Sequence, residues 1–265
     1  MALDKHAALF APAARGDFTL PTHLLAMREG IARLDAEPRP VIITDLDERA
    51  RLIEETIGAA VNGGPLPATD AIQAARIRAA EAADRQEILI HATLGLTSRV
   101  GSEIALAGDE IITEHLRPAH DALIAEMTAT LAITAEFDDD PGSALTASSK
   151  VRNAFAALPG LRASYVMLAT ARRVIETCGY RPVKDVDGQF SSIRNINELQ
   201  TPGLRQHGAK PPWAEGGETW LIRNGGHLWM PTADEQDARW QEVFGAALEE
   251  RKRNMHDLAG YRAMA

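Results

Sequence analysis

The sequence predicts a mainly α fold: a bundle of long helices with a small β-hairpin-bearing insertion towards its C-terminal end. Three observations carry that prediction. From Leu46 to Leu131, apolar residues recur at three- and four-residue intervals rather than alternating. Aromatic residues make up only 5% of the chain while alanine is abundant, so the core must be aliphatic and small, which suits closely packed helices. The stretch 183–232 then breaks this character, with clustered Gly and Pro and an Asn-Gly pair between two Trp-bearing arms.

Residues 1–40 read as an N-terminal arm and short helix. "MALDKHAALFAPAARGD" imitates a secretory signal faintly, but Asp4 and the weakness of its apolar run argue against cleavage. Residues 41–140 form an acidic long-helix region. Its opening, "VIITDLDERARLIEE" (41–55), admits two readings, a strand ending in a catalytic Asp-x-Asp or the capped first turn of a helix. A phosphate-handling pair at Asp45 and Asp47 needs a Gly and a hydroxyl to follow; Glu48 and Arg49 follow instead, and a carboxylate there repels an anionic substrate. The helical reading accounts for more residues. Thr44 caps the first turn, the acids meet the positive end of the helix dipole, and Leu46, Ala50, Ile53, Ile57, Ala60 and Val61 trace one face before "NGGP" at 62–65 ends it.

Between Asp70 and Arg117 the chain has no proline, and its apolar stripe continues to Leu131. Gly95, Gly101 and Gly108 allow either short breaks, with Ser98 and Asp109 as new caps, or close helix contact. Pro118 kinks or ends a turn. No heptad survives four repeats here, so a long regular coiled coil is not expected. In the basic helical region, 141–182, "ALTASSKVRNAFAALPG" reads as a helix stopped at Pro159, and "LRASYVMLATARRVIETCG" as a second one burying Leu161, Tyr165, Leu168 and Ile175 and ending at Gly179. Residues 183–232 are the loop and hairpin insertion: an Asp-Gly turn at 187 and 188, a long surface loop over 201–217, and a hairpin turning at Asn224 and Gly225 with Trp220 opposite Trp229. A C-terminal helix fills 233–265, opened by a capping box of Thr232 and Glu235 and burying Trp240, Phe244, Ala247, Leu248 and Met255.

Signatures of chemistry are missing. The sequence holds no phosphate-cradling glycine loop, no nucleophile elbow and no zinc-type Cys/His spacing. Its single cysteine, Cys178, reads as a small apolar residue in a reducing compartment. The Glu-x-x-His pattern of carboxylate-bridged metals is absent; Glu87 with His91, Glu114 with His115, and His115 with His120 read as solvated or hydrogen-bonded side chains. His207 and His227 lie in turns. No catalytic, cofactor-binding or metal-ligating residue is therefore assigned, and no window approaches the run of about 20 apolar residues that a membrane helix needs.

Charge is the feature that asks for a partner. The net charge of −9 divides into −12 over residues 1–140, −3 over 185–265 and +6 over 141–184, where Lys150, Arg152, Arg162, Arg172, Arg173, Arg181 and Lys184 face a single acid, Glu176. Pairing of this block with the acidic half, within the chain or between copies, is the favoured expectation; nucleic acid is the rival, but only Tyr165 and Tyr180 are available to stack on bases. Trp213, Trp220 and Trp229 are candidate interface aromatics. The expected function is a non-enzymatic structural or assembly protein that self-associates in a multi-copy particle, of the phage virion or scaffold kind, acting in the cytoplasm or virion without cofactor or membrane. The alternatives are a nucleic-acid-binding accessory protein using 150–184, and an enzyme without a textual motif whose pocket would lie near His207, His227 and Trp213.

Overall fold

The computed structural model describes residues 5–40, 45–67, 70–137, 146–185, 188, 190–199 and 217–264, with backbone only at 45, 72 and 252–264. Helices account for 77% of the structure, and no strand is present among the described residues. In chain order they are α1 (Ala7–Arg15), α2 (Thr22–Ala36), α3 (Asp45–Asn62), α4 (Ala71–Leu106), the single turn α5 (Gly108–Glu110), a π-helical segment (Ile111–Leu116), α6 (Arg117–Thr134), a 3-10 turn (Ala135–Phe137), α7 (Ser149–Thr177), α8 (Gly217–Arg223) and α9 (Ala233–Met264). The chain divides into two compact units, Thr22–Val100 and, from the remainder, Met1–Pro21 with Gly101–Ala265.

The larger unit is built on α6 against α7, with α1 laid on α7. Leu116, Leu123, Met127 and Leu131 descend one side of α6 and its π-helical approach, and Leu158, Leu161, Leu168 and Ile175 answer them from α7. Ser148 caps α7, accepting from the Val151 amide at 3.4 Å. The expected stop at Pro159 does not occur: α7 runs for 29 residues straight through it. Pro159 and Gly160 lie on the exposed side of the helix, where water can satisfy the carbonyl that proline leaves unbonded, while Leu158 and Leu161 on the other side stay packed. Part of α7 is also long and apolar enough to pass as a possible membrane span, against the sequence expectation; here α7 packs against α6 and α1.

Gly95 and Gly101 sit inside α4 without breaking it. At Gly101 an added methyl would make only ordinary contact, 3.6 Å from His6 Nε2, so the helix runs through without a steric need for glycine. Gly108 is the true interruption. The Tyr180 ring packs onto its backbone where a Cβ would come within 2.2 Å, and the Tyr180 hydroxyl donates to Asp109 and accepts from the Ala233 amide. Pro118 lies just past the junction of the π-helical segment with α6, and the helix continues through it.

The hairpin is not supported. Residues 217–223 are helix α8, and "NGG" closes it: Gly226 N donates to Leu221 O at 2.7 Å and Gly225 N to Ile222 O at 3.3 Å, with Gly225 at φ 79°. That is a Schellman cap, which needs a left-handed Gly as much as a type I′ turn does. The second arm does form an antiparallel bridge, Ile193 with Leu228, but its partner is 192–194 rather than the Trp220 segment, so Trp220 and Trp229 are not opposed. Gly188 takes φ 63° as a turn glycine, whereas Asp187 and the loop residues 201–216 lie outside the described residues. The capping box at the start of α9 forms in both directions, Thr232 N to Glu235 Oε2 at 2.8 Å and Glu235 N to Thr232 Oγ1 at 3.2 Å. Along α9, Gln236 is buried and Trp240, Phe244 and Leu248 are half-buried; Ala247 faces solvent.

The Thr22–Val100 unit comprises α2, α3 and most of α4. Gly30 on α2 lets Leu96 approach to 3.1 Å of where a Cβ would be, which draws α2 onto α4. Thr44 lies outside the described residues, and α3 starts at Asp45. Its packing is reversed from what the apolar pattern suggests. Glu48 and Leu52 are the buried positions, whereas Leu46, Ile53, Ile57 and Val61 are 77%, 58%, 51% and 79% exposed.

Candidate functional site

The seven basic residues do not make one patch. Five of them, Lys150, Arg152, Arg162, Arg172 and Arg173, are strung along about 35 Å of α7 and spread over roughly 200° of its circumference, from its 1.5 Å rise and 3.6 residues per turn. Arg152 donates to Ala147 O at 2.7 Å, and Arg162 stands 3.8 Å from Glu218. Arg181 donates to Glu176 O at 3.2 Å. Lys150, Arg173 and Lys184 are exposed and make no side-chain ion pair among the described residues.

Arg172 is a core residue, 7% exposed. Its Nη1 reaches Glu176 Oε1 at 2.7 Å and Ser191 O at 2.9 Å; its Nη2 reaches Gln236 Oε1 at 2.9 Å and Pro231 O at 3.3 Å. Gln236 passes the contact on, donating to Asp185 Oδ2 at 2.8 Å, and the same oxygen accepts from the Phe190 amide. A buried cation is thus linked through an amide to a buried carboxylate. Burial pulls the guanidinium pKa down, and Glu176, then Tyr180, Tyr165 and Asp185, oppose the shift. The fifth donor, Nε–H, has no partner among the described residues.

Beside Arg172 lies a cavity of about 230 Å³. α6 contributes His120 to its wall, α7 contributes Tyr165 and Glu176, the segment after Phe190 contributes Ser191 and Ser192, and α8 contributes Glu218. His120 is 1% exposed; burial lowers its pKa, opposed by Asp121 3.0 Å away, so the ring is neutral near pH 7. Tyr165 is pushed up to about 12, first by burial and then by the Glu218 charge, so its hydroxyl keeps its proton. Glu218 Oε2 is buried and, like Arg172 Nε, has no hydrogen-bond partner among the described residues. No sequence pattern marks this site, because its members come from five segments and none repeats a motif.

The remaining sequence candidates are dispersed. Trp229 is half-buried, donating from Nε1 to Phe190 O at 2.8 Å with the Arg194 guanidinium 5.5 Å over its ring. Trp220 is half-buried on α8. Trp213 and His207 lie outside the described residues, and His227 is exposed, its amide bound to Asn195. Burial raises the Cys178 pKa, which suits an inert thiol at the end of α7. The π-helical turn does bring Glu110, Glu114 and His115 within 4.8 Å of one another, a grouping that α-helical spacing hides, and His115 Nδ1 meets Thr19 Oγ1 at 2.6 Å.

The α3 stripe has its own geometry. Leu46, Ala50, Ile53, Ile57 and Ala60 follow one another at alternating steps of four and three residues, all exposed. Those are the a and d positions of two and a half heptads, with Asp47, Glu54 and Val61 at e and Arg49 and Thr56 at g. On the far side, Arg51 holds Glu48 at 2.9 Å and also pairs with Glu55. No protein-family model, curated protein or solved structure matches the chain.

Proposed function

We propose that this protein is a non-enzymatic assembly component that self-associates through α3, as copies of a structural or scaffold protein do in a virion-like particle. The observation behind this reading is the exposed heptad seam. A helix that tucks Glu48 inward while presenting Leu46, Ile53, Ile57 and Val61 to solvent carries an apolar face that monomers rarely leave open. The occupant that fits is a second α3 in parallel register. Arg49 at g then lies across from Glu54 at e of the other copy, five residues on, whereas an antiparallel pair would set the e-position acids Asp47 and Glu54 against each other. Further exposed apolar residues on α4, Ile77, Ile88 and Leu94, supply area for additional copies. Charge between the basic segment and the acidic half is a weaker basis, since Arg172 is committed inside its own unit and four of the other six bases lie on different sides of α7.

Light scattering over a range of protein and salt concentrations tests this. Mass should rise above 28.7 kDa with concentration and persist in high salt, because the contact is apolar. The pair Ile53→Asp and Ile57→Asp should give a monomer with unchanged helicity. Arg49→Glu should weaken association, and adding Glu54→Arg should restore it. A monomer under all conditions refutes the reading; association that dissolves as salt rises would return the basic segment to first place.

A further inference from the structure

We propose that the π-helical turn is a binding site for a divalent transition-metal ion of the zinc type, held by Glu110, Glu114 and His115. These three side chains bring ligand atoms within 4.8 Å of one another. The grouping depends on the turn itself. In a helix of 3.6 residues per turn, His115 would stand roughly 140° round the axis from Glu110. The wider turn over Ile111–Leu116, marked by the Arg117 amide donating to Ile112 O five residues back, returns His115 to the side that carries Glu110 and Glu114. Such turns recur at functional sites, because they gather side chains that a regular helix sets apart. Ile111, Ile112 and Leu116 are fully buried and fix the turn from beneath, which leaves Glu110 and Glu114 exposed and His115 half-buried on its outer side.

His115 is already oriented for ligation. Its Nδ1 lies 2.6 Å from Thr19 Oγ1, on a residue set between the buried Phe18 and Leu20 in the link from α1 to α2. With Nδ1–H donating to that hydroxyl, the lone pair is on Nε2, the arrangement in which an imidazole ligates a metal while the protein holds its other nitrogen. One nitrogen and two carboxylate oxygens suit Zn²⁺, which takes both and can keep a water in its fourth position; Mg²⁺ and Ca²⁺, which prefer oxygen alone, fit the set less well. Zinc bonds of about 2.0–2.2 Å place ligand atoms roughly 3–4 Å apart, so the carboxylates need to close by about 1 Å, and both are exposed and able to do so. Charge favours the ion too. Glu110 and Glu114 repel each other, and Arg117, the only Lys or Arg between 108 and 117, is committed to Glu235 and Met230 O. The site is independent of α3, since all its residues belong to the larger unit.

The test is calorimetric titration of the full-length chain, free of any tag, with Zn²⁺, Mn²⁺ and Mg²⁺, beside the visible absorption of bound Co²⁺. One Zn²⁺ per chain should bind at submillimolar concentration, more tightly than Mn²⁺ and with Mg²⁺ weakest, and the Co²⁺ spectrum should change when His115 is replaced. Thr19→Val, at a residue that touches no metal, should weaken Zn²⁺ by about tenfold, the usual worth of a group that orients a ligand, and His115→Ala and Glu114→Gln should each cost more. His91→Ala is the control. Glu87 and His91 form an exposed pair 3.7 Å apart at ordinary α-helical spacing, and its loss should leave the titration unchanged. Should His115→Ala fail to fold, Glu110→Gln on the exposed side of the turn carries the same expectation. The proposal is overturned if Zn²⁺ does not bind at submillimolar concentration, if His91→Ala costs as much as His115→Ala, or if Glu110→Gln and Glu114→Gln bind Zn²⁺ like the parent.

Discussion

Replacing Arg172 with Met should destabilise the larger unit severely. The substitution keeps an aliphatic stem of similar length and removes three hydrogen bonds, to Ser191, Gln236 and Pro231, together with the 2.7 Å ion pair to Glu176. Gln236, 1% exposed, would keep its bond to Asp185 but lose the guanidinium that matches its oxygen, and Asp185, 2% exposed, would lose the positive charge one residue away in the network. Deleting one partner of a buried charged network typically costs about 3–5 kcal/mol, because the groups left behind remain buried without compensation. With a urea slope of about 2 kcal/mol/M, the midpoint should drop by roughly 2 M. Trp220, Trp229 and Trp240 all lie in this unit, so fluorescence follows its unfolding without a signal from Thr22–Val100. Arg173→Met, one residue along and exposed, is the control and should stay within about 0.5 kcal/mol of the parent. If both variants unfold alike, or if Arg172→Met costs less than about 1 kcal/mol, the buried network does not hold the unit together.

Three further outcomes are expected in the same assay. Gly108→Ala should cost about 1–3 kcal/mol, because its methyl would enter the Tyr180 ring, while Gly160→Ala, in α7 of the same unit with open space around it, should gain up to about 1 kcal/mol; equal effects would remove the role given to Tyr180. Thr232→Ala should cost about 1 kcal/mol through loss of the α9 cap, and no change would mean the box is not formed in solution. His120 is held neutral by burial, its folded pKa lying below the unfolded value, so the unfolded chain takes up the proton first as pH falls. Stability should therefore decline as pH drops below about 6.5 towards the folded pKa, and His120→Gln should flatten that slope; a profile unaffected by the substitution would contradict the buried neutral ring.

Signals that depend on a few neighbouring residues were legible in the sequence. The α9 capping box joins residues three apart and forms as expected, and the helical period over Leu46 to Leu131 is borne out. Signals with two physical uses misled. Asn-Gly-Gly demands a left-handed glycine whether it closes a hairpin or a helix, and here it closes the helix 217–223, on which Leu221 is buried. Pro159 does not stop α7: its exposed position lets water reach the freed carbonyl, and the packing of Leu158 and Leu161 on the other side outweighs the steric cost that remains. The cavity was illegible for a different reason: Arg172 and Glu218 are 46 positions apart, and nothing local distinguishes a buried arginine from the exposed one beside it.

Apolar periodicity carries a similar ambiguity with a functional consequence. A stripe at three- and four-residue spacing states that a helix has an apolar face and leaves open what covers it. In α6 and α7 the stripes cover each other, so Leu123, Met127, Leu161 and Leu168 are buried within one unit. In α3 the covered side is the one carrying Glu48 and Leu52, with Arg51 bonded to the Glu48 carboxylate at 2.9 Å. Turning α3 to bury Ile53 and Ile57 instead would expose Leu52 and uncover that ion pair. A helix that forgoes burying four large aliphatic side chains gives up on the order of 1.5–3 kcal/mol for each, and a partner surface can recover part of it. The orientation of α3, more than the sign of its charges, is therefore what points to association between copies.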